Sequence, residues 1–88
     1  MTRQDTENPT EIDATGLRCP MPVIKIEAAL RRKSPGQQVL IRADDPLAAV
    51  DIPHFCRKSG HSVARQPDEG APERPVCVFL VTAGPNPG

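Results

Sequence analysis

The chain has few aromatic residues, no surplus of charge and no long apolar run. Its 88 residues include two Phe and no Tyr or Trp, and 11 basic residues balance 11 acidic ones. Direct binding of nucleic acid is not expected, because phosphate contacts need a basic surplus and base stacking needs aromatics. No apolar run approaches the ~20 residues that span a bilayer. Residues 1–10 are polar, unlike a signal peptide. We therefore expect a cytoplasmic protein without membrane contacts and with reduced thiols.

Histidine and cysteine are also scarce, which narrows the possible chemistry. There are two histidines, His54 and His61, and three cysteines, Cys19, Cys56 and Cys77. An odd cysteine count excludes a complete set of intrachain disulfides. These five residues lack the paired spacing of a zinc site, so no metal is expected. A hydrolytic cysteine needs a general base, and nothing in the sequence places either histidine beside Cys19. Both histidines are interpreted as surface or satisfied structural residues.

Composition predicts one domain with two short tails. Residues 1–10 are polar and lack periodicity, and residues 84–88 (GPNPG) cannot hold regular structure. Both segments are predicted to be disordered. Residues 11–83 are predicted to form a single domain, close to the size at which a lone apolar core is only marginally stabilising.

Apolar periodicity, together with the positions of proline and glycine, predicts six elements within this domain. Strands are predicted over residues 11–14, 38–43, 61–66 and 76–82. A first helix follows Pro20 and Pro22 and runs to Lys33. Its apolar stripe is formed by Val23, Ile26 and Leu30, and the run 31–33 is interpreted as a solvated, basic helix end.

The second helix is predicted from its capping residues. Asp45 is placed at the N-cap and Pro46 at the first helical position, with Asp44 also assigned to capping. Pro53 is expected to kink the helix or divide it, and Gly60 to end it. The apolar stripe is predicted to comprise Leu47, Val50, Ile52 and Phe55.

This order of elements predicts an α/β fold, a βαβαββ two-layer sandwich. Two helices lie on one face of a mixed four-stranded sheet, and the other face lacks helical cover. The last two strands pair as an antiparallel hairpin across a nine-residue loop, residues 67–75. The last strand is apolar on both faces, which predicts either a central position or a patch used for association.

Cys19 is the candidate reactive residue because it follows a Thr15-Gly16 turn and directly precedes a helix. The free N–H groups and the dipole at a helix start are expected to lower the thiol pKa from ~8.5. Pro20 and Pro22 have no N–H, so we expect the Met21 N–H to point at the sulfur. Without a CxxC spacing or a histidine partner, nucleophilic exchange by a carrier thiol remains. The alternative is a buried structural cysteine, which is the interpretation given to Cys56 and Cys77.

Three stretches together resemble the TusA/SirA family of sulfur carriers, or small sulfurtransferases, whose hallmark is Cys-Pro-x-Pro. They are DATGLRCPMP at 13–22, ADDP at 43–46 and DIPHFC at 51–56. The resemblance spans about residues 11–66 in register. It implies a βαβαββ sandwich, a cytoplasmic bacterial or archaeal protein, and a persulfide carried on Cys19. It implies no small-molecule cofactor.

By the same resemblance, sulfur comes from a cysteine desulfurase or a rhodanese and passes to an acceptor protein. The routes implied are tRNA thiolation, molybdenum-cofactor metabolism or dissimilatory sulfur trafficking. Around the reactive cysteine, the resemblance assigns a shaping role to Asp13, Gly16, Arg18, Pro20, Met21 and Pro22. Met21 replaces an acidic residue of several family members, which is expected to favour the thiolate and to alter the choice of partner. The alternative is a regulatory or redox-sensing interaction module without sulfur transfer.

Overall fold

The computed structural model of the chain describes residues 9–85. The predicted tails lie mostly outside this range, but Thr10 and Gly84 lie within it. Thr10 is the first residue of a strand, and Gly84 is buried. The described fold therefore includes Thr10 and Gly84, which lie outside the predicted domain boundaries of 11 and 83.

Four strands and two helices alternate in the predicted order. They are β1 (Thr10–Asp13), α1 (Met21–Leu30), β2 (Gln38–Ala43), α2 (Ala48–Lys58), β3 (Ser62–Ala71) and β4 (Arg74–Thr82). The sheet order is β1-β2-β4-β3. β1 pairs with β2 in parallel, and the other two pairings are antiparallel. The predicted βαβαββ fold with a mixed sheet is confirmed, and β4 is central as expected.

The core lies between one face of the sheet and the two helices. Alternate residues of β2 and β4 point into it, as strand geometry requires. The fully buried large side chains include Val39 and Ile41 of β2, Phe79 and Val81 of β4, Ile26 and Leu30 of α1, and Ile52 of α2. On the opposite face Leu40 and Leu80 are paired in register and half-buried. That face has no helical cover, as predicted.

The hairpin differs most from its sequence prediction. Residues 67–75 are not a loop: β3 continues to Ala71, β4 begins at Arg74, and only Pro72 and Glu73 form the turn. A bulge between Gln66 and Glu69 interrupts the pairing. It accommodates Pro67, which cannot donate to a strand ladder. Because β3 is an edge strand with exposed residues, its polar composition resembled that of a loop.

α2 begins later than predicted and buries a different face. The helix starts at Ala48, with Leu47 as N-cap, and its buried residues are Ala48, Ile52 and Cys56. Leu47 and Val50, assigned to the core from the sequence, are exposed. Ile52 is buried and Phe55 packs against the core, so two of the four residues of the predicted stripe face inward and two face outward.

The two helix ends also differ from expectation in part. α2 is one continuous helix across Pro53, rather than two segments. It ends as predicted: Gly60 has a φ of 86°, and the His61 N–H donates to the Cys56 carbonyl at 2.8 Å, which is a Schellman end. α1 stops at Leu30 rather than Lys33, with residues 31–32 in a turn. Neither helix in residues 9–85 combines the length and apolar character needed to cross a membrane.

Candidate active site at Cys19

The turn that leads to Cys19 is fixed by two carboxylates. Asp13, at the end of β1, accepts hydrogen bonds from the backbone N–H (3.0 Å) and the hydroxyl of Thr15. These bonds lower the pKa of Asp13. Gly16 has a φ of 84°, and its N–H donates to Asp44 Oδ1 at 2.9 Å. The sequence suggested that Asp44 caps α2, but its side chain instead holds this turn. The two carboxylates therefore fix the backbone conformation of the turn that precedes the cysteine.

Asp45 joins the cysteine to the start of α2. Its Oδ2 accepts the Cys19 N–H at 2.7 Å, and its Oδ1 accepts the Leu47 N–H at 3.1 Å. The two bonds lower the pKa of Asp45. The predicted placement of Asp45 at the N-cap and Pro46 at the first helical position is wrong, because Leu47 is the N-cap of α2. The Asp45 side chain instead bonds to the turn that precedes the helix. The second oxygen of the same carboxylate, however, fixes the backbone of the reactive residue.

The start of α1 contradicts the expected contact between the Met21 N–H and the sulfur. Met21 is the first helical residue, Pro20 is the N-cap, and Cys19 precedes both. The Met21 N–H donates to the Arg18 carbonyl at 2.8 Å. The hypothesis that this donor points at the sulfur is therefore wrong. Pro22 is buried against the core, whereas Pro20 and Met21 are exposed.

The Cys19 thiol is exposed and donates to Asp51 Oδ2, with 2.8 Å between the sulfur and the oxygen. This hydrogen bond raises the pKa of Cys19, and desolvation and the charges of Asp51 and Asp45 act in the same direction. The predicted fall in the pKa is wrong. The thiol lies before the N-cap and points across to α2, where it meets a carboxylate rather than free N–H groups. Met21 itself brings no negative charge to the cysteine, but Asp51 of α2 places one beside the sulfur.

The other two cysteines are buried, as predicted. Cys56 is fully buried on α2, and burial raises its pKa to about 11. The Cys77 thiol donates to the Ala43 carbonyl at 3.1 Å within the core. Burial also raises the pKa of Cys77. Of the three thiols, therefore, only Cys19 is presented to another molecule.

Neither histidine belongs to this site. His61 is buried, and its Nδ1 accepts the Gly84 N–H at 2.9 Å, so it is a satisfied structural residue as predicted. His54 is exposed on α2 and has no hydrogen bond to Cys19. Within residues 9–85, no three His, Cys, Asp or Glu side chains are grouped as metal ligands. The chemistry available at Cys19 is therefore that of a thiol and two carboxylates.

A cavity of about 680 Å³ lies beside the site, between residues 16–18, the start of α2 and the β3–β4 hairpin. Arg18, Asp45 and Cys77 are among the residues that line it, but Cys19 is not. The exposed thiol thus opens to the surface rather than into an enclosed substrate pocket. Such a position suits reaction with a group presented by another macromolecule.

The structure adds to the predicted site two carboxylates, Asp45 and Asp51, whose contacts with Cys19 the sequence did not reveal. Residues 13–22 run from the end of β1 through turns at 15–16 and 19–20 into the start of α1. In the sequence, Asp51 is only the first residue of the DIPHFC stretch, and Asp45 was interpreted only as a helix cap. The one sequence feature that could have linked them to Cys19 is that both lie in stretches that accompany the cysteine motif. Their contact with it depends on the packing of α1 beside α2.

Two comparisons place the chain among known proteins. A family model described as sulfurtransferase TusA matches residues 10–74. A crystal structure of a SirA-like protein from Desulfitobacterium hafniense superposes with a TM-score of 0.72. The two sequences are 24% identical, and the alignment covers 85% of this chain and 97% of the other. That likeness supports the fold.

Proposed function

The chain belongs to the TusA sulfurtransferase family, and from this we propose that Cys19 carries sulfur as a persulfide. The observation that carries the proposal is that Cys19 is an exposed thiol whereas Cys56 and Cys77 are buried. Asp13, Gly16, Arg18, Pro20, Met21 and Pro22 shape its surroundings. The protein works in the cytoplasm as an intermediate between a donor protein and an acceptor protein.

The transfer is an exchange at sulfur without net oxidation. The Cys19 sulfur attacks the outer sulfur of a donor persulfide, R–S–S–H. The new Cys19 S–S bond forms as the donor S–S bond breaks, and the donor leaves as a thiolate. Asp51, 2.8 Å from the thiol, accepts its proton, which then passes to the leaving donor thiolate. The products are R–S–H and a persulfide on Cys19, and delivery to the acceptor repeats the exchange in the forward direction.

The two carboxylates suit a carrier that must not react before it meets its donor. Because Asp51 raises the pKa of the thiol, the free protein holds Cys19 largely in its neutral, weakly nucleophilic form. A redox-sensing cysteine, by contrast, is exposed and has a low pKa. The raised pKa therefore fits a thiol that stays unreactive until a partner protein docks beside it.

Sulfur acceptance is tested by intact-mass measurement after incubation with a persulfide donor. The reduced protein is mixed with a cysteine desulfurase, its pyridoxal phosphate cofactor and cysteine. We expect a gain of one sulfur atom that dithiothreitol removes. A matched pair of variants locates it: Cys19→Ser loses the adduct, and Cys56→Ala with Cys77→Ser retains it. An adduct that survives Cys19→Ser would refute the assignment of the carrier residue.

The pathway is tested at the acceptor side. Loaded protein, freed from the donor, is mixed with candidate thiolation enzymes of tRNA, molybdenum-cofactor or sulfur-oxidation routes, and transfer of labelled sulfur is followed. We expect one class to take the label faster than free persulfide hydrolyses. If no protein acceptor takes the label, the relay role is wrong even where Cys19 loads.

A further inference from the structure

The exposed apolar side chains of the domain are concentrated at one place. In the part of the chain that the structure describes, the large hydrophobic residues classed as exposed are Met21 (43% exposed), Ile24 (47%), Leu47 (58%) and Val50 (66%). Met21 and Ile24 lie in the first turns of α1. Leu47 and Val50 lie at the start of α2. A cluster of this kind on an otherwise charged surface marks an interaction site.

These four residues lie around Cys19. Met21 is two residues from it, and Ile24 is on the same face of α1, three residues further on. The Leu47 N–H shares the Asp45 carboxylate with the Cys19 N–H. Val50 precedes Asp51, whose side chain receives the Cys19 thiol. The reactive sulfur is therefore bordered by apolar side chains from both helices.

The centre of this surface is negatively charged. Asp45 and Asp51 both contact Cys19. The charge of Arg18 acts on Asp45, but neither carboxylate is among the ion pairs recorded in residues 9–85. A partner's cation placed opposite Asp51 would complete the pair. It would also offset the charge that disfavours the Cys19 thiolate. The surface is thus apolar at its rim and complementary to one basic side chain at its centre.

We infer that Met21, Ile24, Leu47 and Val50 form the docking surface for the persulfide-bearing donor protein. That protein presents an apolar patch and a Lys or Arg beside its sulfur. The inference rests on the proposed sulfur transfer and names the surface through which it occurs. Apolar contact supplies the affinity, and the basic side chain sets the register that aligns the two sulfurs.

The test separates docking from chemistry by comparing two kinds of donor. Persulfide-loaded cysteine desulfurase and rhodanese are the protein donors, and glutathione persulfide is the small one. The test variant is the double variant Leu47→Ser/Val50→Ser, whose side chains are exposed and are not part of the core. Leu40→Ser, on the open sheet face, is the matched control, and thermal unfolding confirms that each variant is folded.

We expect the double variant to accept sulfur at least tenfold more slowly than wild type from the faster protein donor. That ratio corresponds to about 1.4 kcal/mol. Its rate with glutathione persulfide stays within about twofold, because no docking is needed. Leu40→Ser behaves as wild type with both. As ionic strength rises from about 0.01 M to about 1 M, the protein-donor rate falls and the small-donor rate does not.

Several results would overturn the inference. One is an equal loss with both donors, which would mean that the variants disturb Cys19 itself. Others are no loss with the protein donor, or a loss confined to Leu40→Ser. A fourth is a wild-type dimer, seen by light scattering, that the double variant abolishes, because the occupant would then be a second copy of this chain. Failure of the sulfur-carrier function itself would look different: wild type would gain no sulfur from any donor.

Discussion

Stability is expected to fall steeply at alkaline pH because α2 buries Cys56 as a neutral thiol. Burial raises its pKa from the ordinary 9.0 to about 11. Between those values the unfolded chain releases the proton while the folded protein keeps it. The contribution is therefore complete below pH 9.0 and is lost as the pH rises towards about 11. At 1.36 kcal/mol per pKa unit, the complete loss is roughly 3 kcal/mol. That is a large part of the roughly 5–15 kcal/mol that holds a domain together.

The measurement is urea unfolding with a reductant at several pH values from about 8 to about 11, for wild type and Cys56→Ala. The variant starts from a lower stability because it leaves a small cavity. Because the variant lacks this ionisable group, we expect its stability disadvantage relative to wild type to shrink by roughly 2 kcal/mol over this range. Cys19 and Cys77 remain in both proteins, so their contributions cancel. A difference between the two proteins that stays constant with pH would refute the reasoning.

Three further outcomes follow from the contacts described. Asp51→Asn removes the carboxylate that raises the pKa of Cys19. The pH–rate profile of alkylation by iodoacetamide is expected to move to lower pH, and an unchanged profile would show that the contact is unimportant in solution. Ile52→Ala opens a cavity at a fully buried position. It is expected to cost about 2–5 kcal/mol in urea unfolding, and a cost below about 1 kcal/mol would contradict the packing. Gly84→Ala places a methyl group against the backbone carbonyl of Gly60. It is expected to destabilise by at least about 1–3 kcal/mol, whereas unaltered thermal unfolding would count against the buried C-terminal segment.

Local sequence patterns correctly predicted the elements that bury one regular face against the core. β2 alternates buried and outward residues against a single core face, so its boundaries at Gln38 and Ala43 were found from the sequence. β3 was cut short because an edge strand tolerates proline and charge, which are also the signals of a loop. On α2, Leu47 and Val50 were assigned to the core by size. The close packing of Ala48 against the sheet, which turns them outward, is a tertiary effect.

The reactive residue could be found from the sequence, but its electrostatic environment could not. Cys19 was identified by its position before a helix and directly before Pro20 and Pro22, which are local features. The direction of its pKa shift depends on Asp51, 32 positions away in the sequence. The hydrogen bond from the Cys19 thiol to Asp51 raises the pKa, whereas the helix dipole was expected to lower it. The local reasoning also placed Cys19 one residue too close to the helix.

The two edge strands of the sheet, β1 and β3, affect the tendency of the protein to aggregate. Open sheets recruit foreign strands through their unpaired edges, which is the first step of edge-to-edge aggregation. Here one edge, β1, has four residues, most of them exposed. The other, β3, carries Pro67 and a bulge. Neither offers a long, regular ladder of free amides. Both edges of the sheet are therefore poor templates for pairing with a strand of another molecule, although one face of the sheet lacks helical cover.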